Sequence, residues 1–122
     1  MSKVNLEFGR LDKTVVERGW KLKSKVWIPI NNEVISPDDP PLLIVTPAGA
    51  VNLLMPVSNA DNAGLMFFMC NASGSTVTLQ SSGGAGFTTA IVLLTIECTL
   101  VVCTGNATAA LGWRAVGTAS SA

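Results

Sequence analysis

The sequence predicts a mainly β protein: a small antiparallel, sandwich or jelly-roll-like body carrying an extended N-terminal arm. Three observations lead there. Short apolar segments recur about every ten residues, separated by clusters of Gly, Pro, Asn and Ser, which is the rhythm of short strands joined by turns. Trp20, Leu22, Ser24, Val26 and Ile28 alternate with Lys21, Lys23, Lys25 and Trp27, a period of two that suits a half-exposed strand. Finally, charge all but vanishes from Pro40 onward, where only Asp61, Glu97 and Arg114 are ionic.

Taken in order, residues 1–39 form the arm and its linker, and residues 40–122 the body. The alternation at residues 20–28 predicts an apolar row facing inward and a lysine row facing water. Ser36-Pro37-Asp38-Asp39-Pro40-Pro41 cannot be regular structure, because its three prolines fix φ and remove N–H donors. It is expected to be a stiff link between arm and body. Strands are expected near Leu42–Thr46, Ala50–Val57, Leu65–Asn71, Thr76–Gln80, Ala90–Leu94, Cys98–Cys103 and Gly112–Val116. The Pro47-Ala48-Gly49, Ser58–Asn62, Ser73-Gly74-Ser75, Ser81–Gly86 and Thr104-Gly105-Asn106 stretches supply turns. Hydropathy alone would allow a helix at residues 90–103, but the density of Val, Ile and Thr there favours strand.

A chain of 122 residues makes one domain and buries about two-thirds of its unfolded surface. Its composition is 48% hydrophobic and 13% charged, about half the usual charge of a soluble domain. The net charge of zero hides an asymmetry, since residues 1–25 sum to +4 and the remainder to −4. A body this short of ions must stay soluble on Ser, Thr, Asn and Gly or by packing against copies of itself. The second is favoured, because uncharged polar side chains lose little when a contact desolvates them. Leu65-Met66-Phe67-Phe68-Met69 is apolar on both faces, which in a sheet means that both are covered. Leu65, Phe67, Phe68 and Trp113 are therefore candidate oligomer contacts.

Three cysteines, Cys70, Cys98 and Cys103, with no CxxC pair and no secretory h-region, predict reduced, buried thiols made in a cytoplasm. An odd spacing in one strand puts Cys98 and Cys103 on opposite faces, against a bond between those two. No apolar run nears 18 residues, so no membrane insertion is expected. The sequons at Asn71 and Asn106 read as accidental without a secretory route.

The inventory for catalysis is thin. Histidine and tyrosine are absent, which removes the commonest general base and metal ligand. Asp38-Asp39 is the sole adjacent carboxylate pair and sits in the proline-rich link. Ser81-Ser82-Gly83-Gly84-Ala85-Gly86 lacks the Lys-Ser/Thr ending of a phosphate-binding loop. No enzyme activity, cofactor or metal is expected. Arg18, Trp20, Lys21, Lys23, Lys25 and Trp27 form the one basic, aromatic cluster. It fits docking on an acidic protein surface, or an edge strand guarded by lysines. A single-strand nucleic-acid surface is disfavoured, because the body adds almost no basic residues to extend a groove.

From about Pro47 onward the elements also follow a familiar order. They run Val51-Asn52-Leu53-Leu54-Met55-Pro56, then Gly64-Leu65-Met66-Phe67-Phe68-Met69-Cys70-Asn71-Ala72-Ser73, then Thr76-Val77-Thr78-Leu79. The tip Gly83-Gly84-Ala85-Gly86 and the segment Thr99-Leu100-Val101-Val102-Cys103-Thr104-Gly105 come next, with Trp113 beyond. This order resembles a β-module of phage structural proteins, found in capsid decoration (cement) proteins and in head or tail fibres. Two departures stand out: a long stretch between Gly105 and Trp113, and a Thr95-Ile96-Glu97 turn where such modules carry Gly before an acidic residue. The resemblance implies a homotrimer on the capsid exterior, made in a bacterial cytoplasm, that binds the major capsid protein and clamps neighbouring capsomers. The alternative it implies is a fibre or receptor-binding module of a phage virion.

Overall fold

The computed structural model describes residues 22–116 and the backbone of Asn5–Leu6 and Gly9–Arg10. Those two short segments, β1 (Asn5–Leu6) and β2 (Gly9–Arg10), pair antiparallel with each other. From Ser24 the chain alternates between two sheets. Strands β3 (Ser24–Trp27), β5 (Leu42–Val45) and β7 (Met66–Asn71) are parallel neighbours in one sheet. Strands β4 (Glu33–Val34), β6 (Val51–Leu54) and β8 (Val77–Gln80) are parallel neighbours in the other. Parallel neighbours cannot be joined by a tight hairpin. Here each crossover carries a strand of the opposite sheet, so the chain coils three times around one core.

The last three strands pair antiparallel with their neighbours. β9 (Ile91–Leu93) runs antiparallel to β8, β10 (Cys98–Cys103) antiparallel to β7, and β11 (Trp113–Val116) antiparallel to β10. The result is a sandwich-like body with a five-stranded sheet, β11-β10-β7-β5-β3, facing a four-stranded sheet, β4-β6-β8-β9. All seven body strands form within three residues of their expected bounds. The sheets are mixed, however, and not antiparallel.

Three other expectations are corrected. Strands β3 and β4 and the buried Ile35 belong to the two sheets and the core, so the arm expected to reach residue 39 surrenders residues 24–35 to the body. The turn at Ser36–Asp39 consequently joins β4 to β5, one sheet to the other. It is closed by Asp39 N–H donating to Ser36 O (3.1 Å) and Ser36 N–H donating to Asp39 Oδ2 (2.9 Å). In β3 the faces are reversed: Lys25 and Trp27 are half-buried on the inward side, while Val26 points out. Lastly, Cys70 and Cys98 lie directly opposite on β7 and β10 and form a disulfide, leaving only Cys103 as a buried thiol.

Inward rows from both sheets make one core: Leu43 and Val45, Leu53 and Met55, Phe67 and Met69, Val77 and Leu79, Ile91 and Leu93, with Val101 and Trp113. Trp113 stacks on Phe67 with centroids 6.0 Å apart, and its Nε1 donates to Pro56 O at 2.9 Å. Gly112, just before it, has no room for a Cβ, which would stand 2.5 Å from Ser58 Cβ.

The turn between β9 and β10 stores strain. Leu94 N–H donates to the Glu97 carboxylate at 2.7 Å and Glu97 N–H to Leu94 O at 3.2 Å. This leaves Ile96 at φ 59°, 74% exposed. A β-branched residue in the left-handed region costs about 1–2 kcal/mol, whereas glycine adopts it freely and loses part of that gain to chain entropy. Ile96→Gly is therefore expected to raise stability by about 0.5–1 kcal/mol, seen as a higher urea midpoint at unchanged slope. A lower midpoint would mean that Ile96 makes a contact in the monomer worth more than its strain.

Candidate interaction surface

Of the six residues expected to dock on a partner, Arg18, Trp20 and Lys21 lie outside the described residues. Lys23 is exposed. Lys25 and Trp27 are not free to reach outward. The Lys25 ammonium stands 4.3 Å from the Trp27 ring centroid and 3.6 Å from Asp39 Oδ1. Trp27 Nε1 donates to Glu33 Oε2 at 2.8 Å, and Ile30 N–H donates to the other carboxylate oxygen at 3.2 Å. Trp27 lies on the edge strand of one sheet and Glu33 on the edge strand of the other. Together with Lys25 and Asp39 they close the open side of the sandwich. A half-exposed ion pair of this kind adds little stability, and the packed indole does more.

The four candidate oligomer contacts divide. Phe67 is 1% exposed and Trp113 2%, so both face the protein's own core, and Leu65 packs partly buried against it. Only Phe68, at 44%, is presented to solvent. The reason is parity: adjacent residues of a strand point to opposite faces, so Phe67 inward requires Phe68 outward.

Strand register then defines the outer face of the five-stranded sheet. One row runs Val26, Ile44, Cys70, Cys98. The next runs Ser24, Leu42, Phe68, Leu100, Val116, and the last Met66, Val102, Arg114. Apart from Ser24 and Arg114, every position is apolar or a disulfide sulfur. Val26 (62%), Val116 (56%), Met66 (50%) and Phe68 (44%) are its large exposed apolar residues. The outer face of the four-stranded sheet differs. Its rows Val34, Leu54, Gln80 and Asn52, Thr78, Val92 mix polar and apolar residues equally.

Sequence reasoning missed most of this face. The signal was present in the uninterrupted runs Leu42–Val45 and Met66–Cys70, but which half of each run faces out depends on pairing that a linear reading does not contain.

The surface elsewhere offers little for chemistry. A cleft of about 40 Å³ lies among Pro56, Ser58, Ser81, Phe87, Ala107 and Trp113, with no titratable side chain in its lining. That holds about a water molecule and falls far short of a substrate pocket. Among the described residues, no three of His, Cys, Asp and Glu are grouped to hold a metal ion. The most extensive feature is the apolar face.

Compared with models of protein families, with curated proteins and with solved structures, the chain matches none.

Proposed function

We propose that this chain is a structural protein of a bacteriophage virion, a decoration protein on the outside of the head shell whose work is adhesion. One observation carries the reading: the body presents a nearly uncharged apolar sheet face, suited to adhesion between subunits. A role in adhesion needs buried area and no reacting group. An interface of standard size, about 800 Å² per partner, suffices when many copies act together. The Cys70–Cys98 disulfide, open to solvent at Cys98, supports a final location in an oxidising medium, because cytoplasmic thiols are kept reduced. The +4 charge of residues 1–25 supports electrostatic steering onto an acidic shell protein. The major capsid protein is the partner in this reading, and self-association adds to the grip.

The test is co-sedimentation of the full chain with head shells of the encoding virus, stripped of their outer proteins. Saturable binding at a fixed ratio to the major capsid protein is expected. It should weaken as salt rises from about 0.05 to 0.5 M, where surface charges are screened. Protein that stays in the supernatant at every salt concentration would overturn the assignment.

A further inference from the structure

We infer that the outer face of the five-stranded sheet is the surface through which one copy of this chain meets another. The inference goes beyond the proposed function, since it assigns a face and its occupant wherever the protein works.

Pairing supplies the first reason. β5 and β7 carry unbroken apolar runs, Leu42–Val45 and Met66–Cys70, and they pair in parallel. Parallel strands with that composition occur with both faces covered. The described residues cover only the inner one.

Size supplies the second. Five strands about 4.8 Å apart, two of six residues and three of four at about 3.3 Å per residue, make a face on the order of 400 Å² before side-chain relief. That is within the range of the largest apolar patch on a monomer, about 300–600 Å², and such patches are often functional. It is also about half of the ~800 Å² that each partner buries in a stable complex.

Charge selects the occupant. Among the described residues Arg114 is the single ionic group on the face, and it lies in the outermost row of the edge strand β11, at a corner. A strongly charged partner would lose hydration here and find nothing to pair with. A second copy brings a surface of the same kind: from Pro40 on, the chain's ionic groups are Asp61, the buried Glu97 and Arg114 itself. The Cys70–Cys98 disulfide ties β7 to β10 on this face, fixing the surface before contact.

Light scattering and sedimentation equilibrium of the full chain, without shells, test the assignment from about 1 to 100 µM. A closed oligomer is expected near 10 µM. Phe68→Lys and, separately, Met66→Lys should each raise its dissociation constant at least about 100-fold, because each places a charge in the contact. Val92→Lys, on the outer face of the other sheet, should leave the oligomer intact. Far-UV circular dichroism checks that each variant is folded. If either lysine variant fails to fold, a second readout decides. Reduction of Cys70–Cys98 by a water-soluble phosphine should slow as wild-type concentration rises.

A wild-type monomer across the range would overturn the assignment. So would an oligomer that both lysine variants leave unchanged, or a reduction rate independent of concentration. The head-shell reading fails separately: an oligomer sensitive to Phe68→Lys that ignores shells sinks decoration alone, and a monomer that coats shells sinks self-contact alone.

Discussion

Trp113→Ala is expected to cost about 4 kcal/mol and to lower Tm by roughly 15–25 °C. The side chain is 2% exposed and occupies the join between β11 and the loop after β6. Its ring stacks on Phe67, its Nε1 satisfies the buried Pro56 carbonyl, and it walls the small cleft beside Phe87. Truncation removes the largest buried side chain and leaves a cavity that Gly112 and its close neighbour Ser58 are too tightly placed to fill. Trp113→Phe separates the terms: it keeps a ring against Phe67 but orphans the carbonyl, for about 1–2 kcal/mol. Thermal unfolding followed by near-ultraviolet circular dichroism measures both. An alanine variant melting within a few degrees of wild type would mean that Trp113 is not a core residue. That outcome would return it to the role of oligomer contact, where truncation would change association and spare the monomer.

The positions of the strands were legible because the causes are local. Period-two apolar residues between turn-forming clusters locate Val77–Gln80 or Cys98–Cys103 without any knowledge of neighbours. Pairing is not local. Nothing within Leu42–Val45 says that its partners are Ser24–Trp27 and Met66–Asn71, both parallel to it. Long connections between same-sheet strands are what parallel pairing demands, and here a strand of the opposite sheet fills each connection. The disulfide was hidden for the same reason. Cys70 and Cys98 are 28 apart in sequence, and only the antiparallel register of β7 and β10 sets them opposite each other.

The reversal of β3 has a different cause. Alternation establishes that Val26 and Trp27 point to opposite sides but not which side is inside. The apolar row looked like the inward one, yet Lys25 and Trp27 take that place at the rim of the sandwich. A lysine can lie along an indole while its ammonium reaches a carboxylate, here Asp39, from another turn. Val26 is then left on the outer face, level with Ile44. Of the candidate site, the run Leu65–Met69 carried the right message, two apolar faces, and parity assigned the exposed one to Met66 and Phe68. Shortage of charge was visible from composition, but the place where it gathers into a surface was not.

Asn71→Leu tests how the two sheets are joined at the far end of β7, and is expected to cost about 2–4 kcal/mol although the two side chains share the same branching and heavy-atom count. Asn71 is 1% exposed, and its amide is fully engaged. Nδ2 donates to Leu93 O and Leu94 O, each at 3.1 Å, and to Ser75 O; Oδ1 accepts from Ser73 N–H at 3.1 Å and Ser73 Oγ at 2.7 Å. Leu93 belongs to the four-stranded sheet and Asn71 to the five-stranded one, so a single side chain pins the Ser73–Ser75 turn and bridges both layers. Leucine fills the space but takes the amide donors from all three carbonyls and the acceptor from Ser73 N–H. Asn71→Asp should be worse at neutral pH. It aims a carboxylate at three carbonyl oxygens and has no N–H to offer. Urea unfolding is expected to rank the proteins wild type, Leu, Asp in falling stability, with the slope unchanged. A leucine variant as stable as wild type would show that water satisfies these groups and that the bridge contributes nothing. The same burial explains why the sequon at Asn71 is closed to modification in the folded chain: the amide nitrogen that would carry a glycan is the one holding the sheets together.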